Sequence, residues 1–584
     1  MLNSLSAEQA KVVEFRGNAL LTACPGSGKT RTVAAKIAHH AGSRSKSSRR
    51  WVLAITHTKV AAEEILERLD KSGVDDPRIW VGTIHSFCMD WIIKPYSGSH
   101  HRVSSGFRII NEFEQAVLKD ELKKDAGISI WDELPTKLGG DFALPADMPA
   151  AVRNAALAYH RELEAKKLID FDLILSIASS ILADNISIGS RLASVFELLI
   201  VDEYQDLSQE QYDIISHVTR HRRTQALLVG DVDQAIYTTL GAVVKNSTEL
   251  EEQLGLSKIS EFSLSGCYRS TQTIIDFYKR FQDNKIDIKS RRSPSPIISQ
   301  VTYSNDVSLA DLGGYVAEFV RQHMLDGVAP REIVVLAPLW HDAARLGRAL
   351  QQSLPSIRVD SPNSSPLPKS FENGWQSFLR LRSTPPGTDT YSRRRRMAAS
   401  VLEDLRAMGF EIDENDGSIR RVLIAANEVG HPANEQIDKY ISRSVTEFCG
   451  RLGLDMSAQA EAVTELSALI DAINSRLARL DISNDAAQLR VDMYSKEAVR
   501  VTTYHSTKGE EYDVVVATGL LEGKVPHWDN IIDRTAEHSA YVARRLLYVA
   551  SSRARFHLHL VSEVGHRTKR GSPYKPTRYI SWGS

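Results

Sequence analysis

The chain has 584 residues and a mass of 65.0 kDa, with 42% hydrophobic and 25% charged residues. This length exceeds what one hydrophobic core supports and predicts about four folding units. The composition is that of a globular chain, and because no run of about 18 apolar residues occurs, we exclude a membrane as its site of action. The net charge of -1 excludes a basic surface over the whole molecule, so any nucleic-acid surface must be local.

The N-terminus, MLNSLSAEQAKVVEF, lacks the basic start, apolar centre and cleavage site of a secretory signal, which predicts a cytoplasmic protein. The four cysteines lie far apart without a CxxC pair, at Cys24, Cys88, Cys267 and Cys449. This spacing predicts reduced thiols and favours neither a zinc ribbon nor an iron–sulfur cluster.

Residues 23–30, ACPGSGKT, match the phosphate-binding loop G-x-x-x-x-G-K-[ST] except at Ala23. A strand-like NALLTA precedes the loop and a helical RTVAAKIAHHA follows it, so backbone N–H groups and a helix N-terminus would converge on a phosphate. We expect Lys29 to neutralise the β- and γ-phosphates and the Thr30 hydroxyl to bind Mg²⁺. The nucleotide-binding loop is assigned to Ala23, Cys24, Pro25, Gly26, Ser27, Gly28, Lys29, Thr30 and Arg31.

An acidic pair follows a second apolar run in FELLIVDEYQD, residues 196–206. The apolar residues 198–201 predict a buried parallel strand that ends at Asp202 and Glu203. Asp202 would hold the metal ion, and Glu203 would orient and deprotonate the attacking water. Together with the loop, this pair predicts hydrolysis of ATP.

Strand and helix patterns alternate along 18–90 and 197–262, and again through 332–338, 499–520 and 556–561. Such alternation predicts an α/β fold with two parallel-sheet cores. Each core carries a mainly helical insertion, because Ala, Leu, Glu and Arg recur there at helical spacing. The predicted domains are a first core at 1–88 and 171–262, its insertion at 89–170, a second core at 263–375 and 497–584, and its insertion at 376–496.

Nine motifs, in order along the chain, resemble those of the UvrD/Rep-type superfamily 1 DNA helicases, in a compact form without a fused nuclease domain. The matching stretches are LSAEQAKVV, AITHTKVAAEEILERL, GTIHSFC, LIDFDLIL, VDEYQD, LLVGDVDQAIYTTLGA, CYRSTQTI, HSTKGEEYDVVV with EGKVPH, and RRLLYVASSRAR. The resemblance implies two RecA-like cores with ATP between them, so that closure of the cleft controls hydrolysis and drives movement 3′ to 5′ along single-stranded DNA.

The resemblance also implies roles for residues outside the phosphate-binding loop. Gln9 would read adenine, Tyr268 would stack on it, and Glu511 would bind the ribose. Gln234 would sense the γ-phosphate, and Arg269 and Arg553 would contact the phosphates from the second core. The candidate DNA contacts are Thr56, His57, Thr83, His85, Tyr237 and His505. The implied cofactors are ATP and Mg²⁺, and the implied partners are single-stranded and junction DNA.

Several positions depart from the family pattern. Thr239 and Leu240 replace a usual Trp-Arg pair, and His57 replaces a Phe, which predicts a weaker grip on DNA. Cys267 replaces an Asn, and Val542 and Ala543 replace acidic residues. The nucleotide residues are intact, so ATP hydrolysis is the firmer expectation and the strength of unwinding is open.

A second hypothesis therefore stands beside the helicase: a subunit that senses ATP and DNA and regulates a partner nuclease in DNA repair or anti-phage defence. A metabolic P-loop kinase is excluded because it has no use for YRS and SSRAR in a second core. The run Arg393–Arg396 is either a solvated patch or a contact with duplex DNA. The basic and aromatic C-terminal stretch HRTKRGSPYKPTRYISW is either a DNA or partner contact or a frayed tail.

Overall fold

The structure is a computed structural model, and it forms two compact units. It describes residues 5–45, 47–110, 112–129, 132–139, 142–221, 223–284, 286–367, 373–388, 390–413, 415–431, 435–480, 482–494, 497–532, 534–568 and 570–580. The first unit comprises Met1–Ile109, Glu133–Val359 and Val499–Ser584, and the second comprises Ile110–Asp132 and Asp360–Ala498.

A six-stranded parallel sheet forms the first core of unit 1. In spatial order its strands are Ile79–Thr83, Trp51–Thr56, Phe196–Asp202, Gln225–Gly230, Ala19–Ala23 and Ser260–Leu264. Residues 198–201 are buried, as an interior strand covered on both faces requires. Because the strands are parallel, their C-terminal ends meet at one edge, where the phosphate-binding loop and the acidic pair both lie.

The helices of this part of the chain precede, separate and follow the strands of the first sheet. They are Ala7–Glu14, Lys29–Ser43, Lys59–Lys71, Ile84–Phe87, His101–Ser104, Ala150–Ala165, Phe171–Asp184, Ile186–Val195, Gln209–Thr219 and Ser247–Leu254. The first helix begins with a capping box, in which Ser6 and Gln9 each accept a hydrogen bond from the other's backbone N–H. This cap fixes Gln9 beside the phosphate-binding loop.

A second six-stranded sheet lies in the later part of unit 1. Its order is Gln300–Ser304, Ala554–Val561, Tyr512–Ala517, Ile333–Ala337, Val499–Thr503 and Val359–Asp360, and the first five strands are mutually parallel. Its helices are Gln272–Tyr278, Leu312–Leu325, Trp340–Ser353 and Ala536–Ser551. The α/β fold class with two parallel-sheet cores is confirmed.

Unit 2 is helical in its described residues. Its helices are Glu112–Asp125, Gly374–Ser383, Tyr391–Ala407, Asp416–Glu428, Ile437–Leu452, Ala460–Arg479 and Ala486–Tyr494. Buried Trp375 and the stacked rings of Phe378 and Phe448, 4.1 Å apart, lie in its core. Unit 2 combines parts of both predicted insertions, 89–170 and 376–496. This division into two units does not test the four predicted domain boundaries, which stay predictions.

The arginine run falls on the first turns of helix Tyr391–Ala407, and its members differ in environment. Arg394 is 3% exposed and donates to the carbonyl of Leu381 over 2.8 Å. Arg395 lies on the outside and pairs with Asp416 over 2.7 Å. Helical periodicity turns Arg394 toward the core, so a wholly solvated patch is the wrong description of this residue.

The C-terminal stretch folds back onto the second core as far as residue 580, so it is not frayed there. Tyr574 N–H donates to the His566 carbonyl over 3.0 Å, which closes a hairpin. The Thr577 hydroxyl donates to the Val525 carbonyl over 2.6 Å and ties the stretch to the core. Residues 569, 581 and 582 of the predicted contact stretch lie outside the described residues.

No single helix in the described ranges combines the length and apolar character needed to cross a bilayer. The pair Phe171–Asp184 and Ile186–Val195 meets that criterion only when taken together, and it bends by 102° at its break.

Candidate functional site

The phosphate-binding loop connects strand Ala19–Ala23 to helix Lys29–Ser43 and requires glycine at two positions. Gly26 and Gly28 have φ values of +69° and +83°, in the left-handed region that side chains disfavour. A Cβ on Gly26 would lie 2.4 Å from the Arg269 Cβ, and one on Gly28 would lie 2.8 Å from the Gln9 Nε2. The loop is therefore packed directly against residues predicted to bind the same nucleotide.

The lysine of the phosphate-binding loop contacts the acidic pair. Lys29 Nζ lies 3.0 Å from Glu203 Oε1, and both side chains are largely buried. Asp202 ends its strand and accepts a 3.1 Å hydrogen bond from the Glu203 N–H. Two segments separated by about 170 residues thus converge because both follow parallel strands of one sheet.

Burial and charge give the two acids opposite titration behaviour. Burial, reinforced by the neighbouring Glu203 charge, raises the pKa of Asp202 to about 7. Burial also acts on Glu203, but Lys29 and Lys508 outweigh it and lower the pKa of Glu203 below its ordinary value. An ionised Glu203 can accept a proton, whereas the charge of Lys29 only partly offsets the effects that raise the pKa of Asp202.

Glu203 is held in a strained backbone conformation by its neighbours. Its φ of +56° is uncommon for a residue other than glycine. Gln205 donates to Glu203 Oε2 over 2.5 Å and accepts from the Asp231 N–H over 3.2 Å. Sequence reasoning did not single out Gln205, although it lies inside the quoted VDEYQD motif.

Arg553 of the second core is buried in the same site. Its Nη2 donates to Gln234 Oε1 over 2.7 Å, and the Gln234 amide donates to Asp231 Oδ2 over 2.6 Å. Burial, with Arg269 nearby, lowers the pKa of Arg553 to about 9. Gln234 and Arg553, distant in sequence, are therefore one hydrogen-bonded pair that spans the two sheets.

Arg269 and Tyr268 lie against the loop at Gly26. The Tyr268 N–H donates to the Gly26 carbonyl over 2.8 Å, and the Tyr268 side chain is 42% exposed. Arg269 donates from Nε to Glu511 Oε2 over 2.7 Å and from Nη1 to the Ser552 carbonyl over 3.0 Å. The predicted phosphate and ribose residues thus contact each other.

Gln9 is 1% exposed and its amide donates to the Ser27 carbonyl over 2.9 Å. Beside it, the Ser27 hydroxyl is buried without a hydrogen-bond partner in the described structure. These two residues, with the exposed face of Tyr268, bound the predicted adenine side of the loop. Thr30 and Arg31 follow Lys29 in the first turn of helix Lys29–Ser43.

Lys508 is the main residue that sequence reasoning missed. It belongs to the second core and is 7% exposed, yet its Nζ pairs with buried Asp206 of the first core. The same Nζ donates to the Gln234 carbonyl over 2.7 Å and lies 3.9 Å from Glu203 Oε2. The sequence signal for this residue was a lysine inside the motif HSTKGEEYDVVV, but a single sequence does not predict that it contacts Asp206.

The candidate DNA residues fall into two groups. His57 stacks on Tyr237 with ring centroids 5.1 Å apart, and the His505 ring centroid lies 6.0 Å from that of Tyr237. Thr56, 2% exposed, donates from Oγ1 to the Thr58 carbonyl and supports the turn at His57.

The second group lies one strand away. Thr83 caps helix Ile84–Phe87 by accepting from the Ser86 N–H over 3.2 Å. His85 meets the Phe171 ring edge-on at 5.7 Å.

Comparisons with known proteins agree with this arrangement. Residues 5–255 match the family model of the UvrD/REP helicase N-terminal domain, and 451–564 match that of the UvrD-like helicase C-terminal domain. The ATP-dependent DNA helicase PcrA of Staphylococcus aureus strain MRSA252 is 24% identical, with 99% of this chain and 86% of the relative covered. PcrA of Leuconostoc citreum is also 24% identical, with coverage of 100% and 85%.

The ATP-dependent DNA helicase Rep of Salmonella typhimurium strain LT2 is 23% identical, with 94% of this chain and 89% of the relative covered. The two domain matches fall in the order that the motifs predict, and these relatives extend over nearly the whole chain. The chain belongs to the UvrD/Rep family of helicases.

Proposed function

We propose that the chain is an ATP-dependent DNA helicase that moves 3′ to 5′ on single-stranded DNA, including the single strands of DNA junctions. The observation that carries the proposal is the buried pair of Arg553 and Gln234, which joins the two sheets at the phosphate-binding loop. A site completed from both cores makes hydrolysis depend on their relative position. The names of the relatives, PcrA and Rep, support the same substrate and energy source.

The residues present fit ATP with Mg²⁺. The two left-handed glycines leave a cradle that a Cβ would fill, and the buried Ser27 hydroxyl is unsatisfied. No group of three or more His, Cys, Asp or Glu among the described residues could hold a metal alone. Mg²⁺ commonly takes one or two protein ligands together with phosphate oxygens. Thr30 and Asp202 would hold it, where it neutralises phosphate charge.

Lys29 and Glu203 have linked roles in hydrolysis. Their 3.0 Å contact must open when Lys29 Nζ turns to the phosphates. Glu203, kept ionised by Lys508 and oriented by Gln205, then accepts the proton of the attacking water. Arg269 and Arg553 donate hydrogen bonds to the transferring phosphate, a contribution of about 10³ to 10⁵ in rate for such arginines.

The coupling to DNA runs through the segment that carries Gln234. Tyr237 follows Gln234 by three residues and stacks on His57, while its hydroxyl donates to the His505 carbonyl over 3.4 Å. Stacking of a base on such a ring contributes about 1 to 3 kcal/mol. A shift of Gln234 on hydrolysis is thereby transmitted to the base-stacking residues.

The test is strand displacement from duplexes with a 3′ or a 5′ single-stranded tail. We expect displacement with ATP and Mg²⁺ from the 3′-tailed duplex only, and none with Lys29→Ala. Equal displacement by the Lys29→Ala variant would contradict the proposal, and a preference for 5′ tails would overturn the direction.

One observation favours the alternative hypothesis of a regulatory subunit, and the same assay tests it. Thr239 is exposed at the position where the family has Trp, so the platform beside Tyr237 lacks an indole ring. ATP turnover that DNA stimulates without any displacement would favour a subunit that senses DNA for a partner nuclease. Displacement by the isolated chain would favour the helicase.

A further inference from the structure

Glu511 holds two arginines at once, one on each carboxylate oxygen. Arg269 Nε donates to Oε2 over 2.7 Å, and Arg555 Nη2 donates to Oε1 over 2.9 Å. Together these arginines lower the pKa of Glu511 to about 2 against the opposing effect of burial. Each oxygen of the predicted ribose residue therefore accepts a hydrogen bond from one guanidinium group.

Arg555 is the fixed member of this group. Its Nη1 contacts Glu332 Oε2 at 2.6 Å and Asp513 Oδ1 at 3.0 Å, in addition to the Glu511 contact. Three carboxylates around one planar guanidinium define its orientation more closely than a single surface pair does. Arg555 thus holds Glu511 Oε1 in place.

Arg269 is the member that can leave. Its contacts besides Glu511 include one carbonyl, that of Ser552, and its Cβ lies beside the phosphate-binding loop at Gly26. A rotation of its side chain about a Cβ already next to the loop brings the guanidinium toward the phosphates. A donor that displaces Arg269 from Glu511 Oε2 would free it for that rotation.

We propose that Arg555 is a positioning residue that holds Oε1 of Glu511 and so directs a ribose hydroxyl to Oε2, where the hydroxyl competes with Arg269 and its binding releases Arg269 toward the phosphates. This inference rests on the proposed ATP hydrolysis and adds a selection step to it. Ribose recognition would then appear in kcat, through release of Arg269, in addition to KM.

The expected effect is moderate because Glu511 is 43% exposed. For a pair with this exposure, loss of the competing hydroxyl should lower kcat by up to about fivefold. Without Arg555, a hydroxyl can bind Oε1 while Arg269 stays on Oε2. The difference between ATP and its deoxy analogue should then disappear from kcat and remain in KM.

The experiment measures kcat and KM for ATP, 2′-deoxy-ATP and 3′-deoxy-ATP with saturating single-stranded DNA. The proteins are wild type, Arg555→Met, Arg555→Lys and the control Arg321→Met, which removes an exposed arginine paired with Glu318 in the same core. We expect one deoxy analogue to lower kcat in wild type and in the control. This difference should vanish in Arg555→Met and return at least in part in Arg555→Lys.

Equal kcat for all three nucleotides in wild type would overturn the inference, and so would an unchanged kcat difference in Arg555→Met. Thermal unfolding of each variant identifies a folding defect, and in that event Glu511→Gln, which should also abolish the kcat difference, decides the question. Strand displacement from a 3′-tailed duplex by wild type but not by Lys29→Ala would uphold the proposed function even if this inference failed.

Discussion

Replacing Asp202 by Asn should make the protein more stable while abolishing hydrolysis. Asp202 is buried beside the ionised Glu203, and its pKa is raised from 3.8 to about 7 by burial and by that neighbour. The amide has the same shape, and its oxygen can still accept the 3.1 Å hydrogen bond from the Glu203 N–H. The substitution removes a buried charge and keeps the contact.

The pKa shift sets the size of this effect. At about 1.36 kcal/mol per pKa unit, ionised Asp202 destabilises the folded state by up to about 4 kcal/mol above pH 7. The cost is absent below about pH 4, where the carboxyl is protonated in both the folded and the unfolded states, and it grows as pH rises toward 7. The stability gained by Asp202→Asn should therefore be about 1.7 kcal/mol at pH 5, under half of the gain at pH 8.

The assay is thermal unfolding at pH 5 and pH 8 without nucleotide or divalent cation. With roughly 2–4 °C per kcal/mol for a domain of 150 to 250 residues, we expect the Tm to rise by about 8 °C or more at pH 8. The matched control is Asp75→Asn, an exposed aspartate of the same core, which should leave the Tm unchanged. An equal Tm gain at both pH values, or none, would refute the electrostatic reasoning.

Three further substitutions test other parts of the site. Gly26→Ala should lower the stability by about 1 kcal/mol or more, because its backbone is left-handed, and should weaken binding of a fluorescent ATP analogue, because the added Cβ meets Arg269. The control Gly42→Ala, with open space around it, should keep both the stability and the nucleotide affinity. Lys508→Met should lower the free energy of unfolding in urea by about 3 kcal/mol, because it leaves Asp206 buried without its cation. The double variant Lys508→Met with Asp206→Asn should regain part of this stability, and no loss in the single variant would contradict the pairing. Tyr237→Ala should weaken binding of single-stranded DNA by about 1 to 3 kcal/mol, measured by fluorescence anisotropy, and leave DNA-independent ATP hydrolysis unchanged. An unchanged DNA affinity would show that Tyr237 does not contact DNA.

The local elements around the nucleotide site could be predicted from the sequence because their signals are local. The apolar runs before the phosphate-binding loop and before Asp202 form strands Ala19–Ala23 and Phe196–Asp202. Parallel strands place their C-terminal ends together, so the approach of Lys29 to Glu203 follows from the fold class. The alternation of strand and helix patterns was enough to predict two parallel sheets.

Contacts between distant segments could not be predicted in the same way. The pairing of Lys508 with Asp206 depends on how two sheets meet, which no spacing in one sequence encodes. The burial of Arg394 was missed because composition describes a run of arginines as surface, while the helix phase selects one of them for the interior. The sharing of Glu511 between Arg269 and Arg555 is likewise visible only in three dimensions.

The most direct test of the shared nucleotide site is the rate of ATP hydrolysis by wild type and Arg553→Lys, with and without single-stranded DNA. Lysine keeps the charge but loses the forked geometry that reaches Gln234. We predict that DNA stimulates wild type strongly and that Arg553→Lys loses about 10³-fold or more of the stimulated rate while still binding the ATP analogue. Full DNA-stimulated hydrolysis by Arg553→Lys would contradict a site completed by the second core.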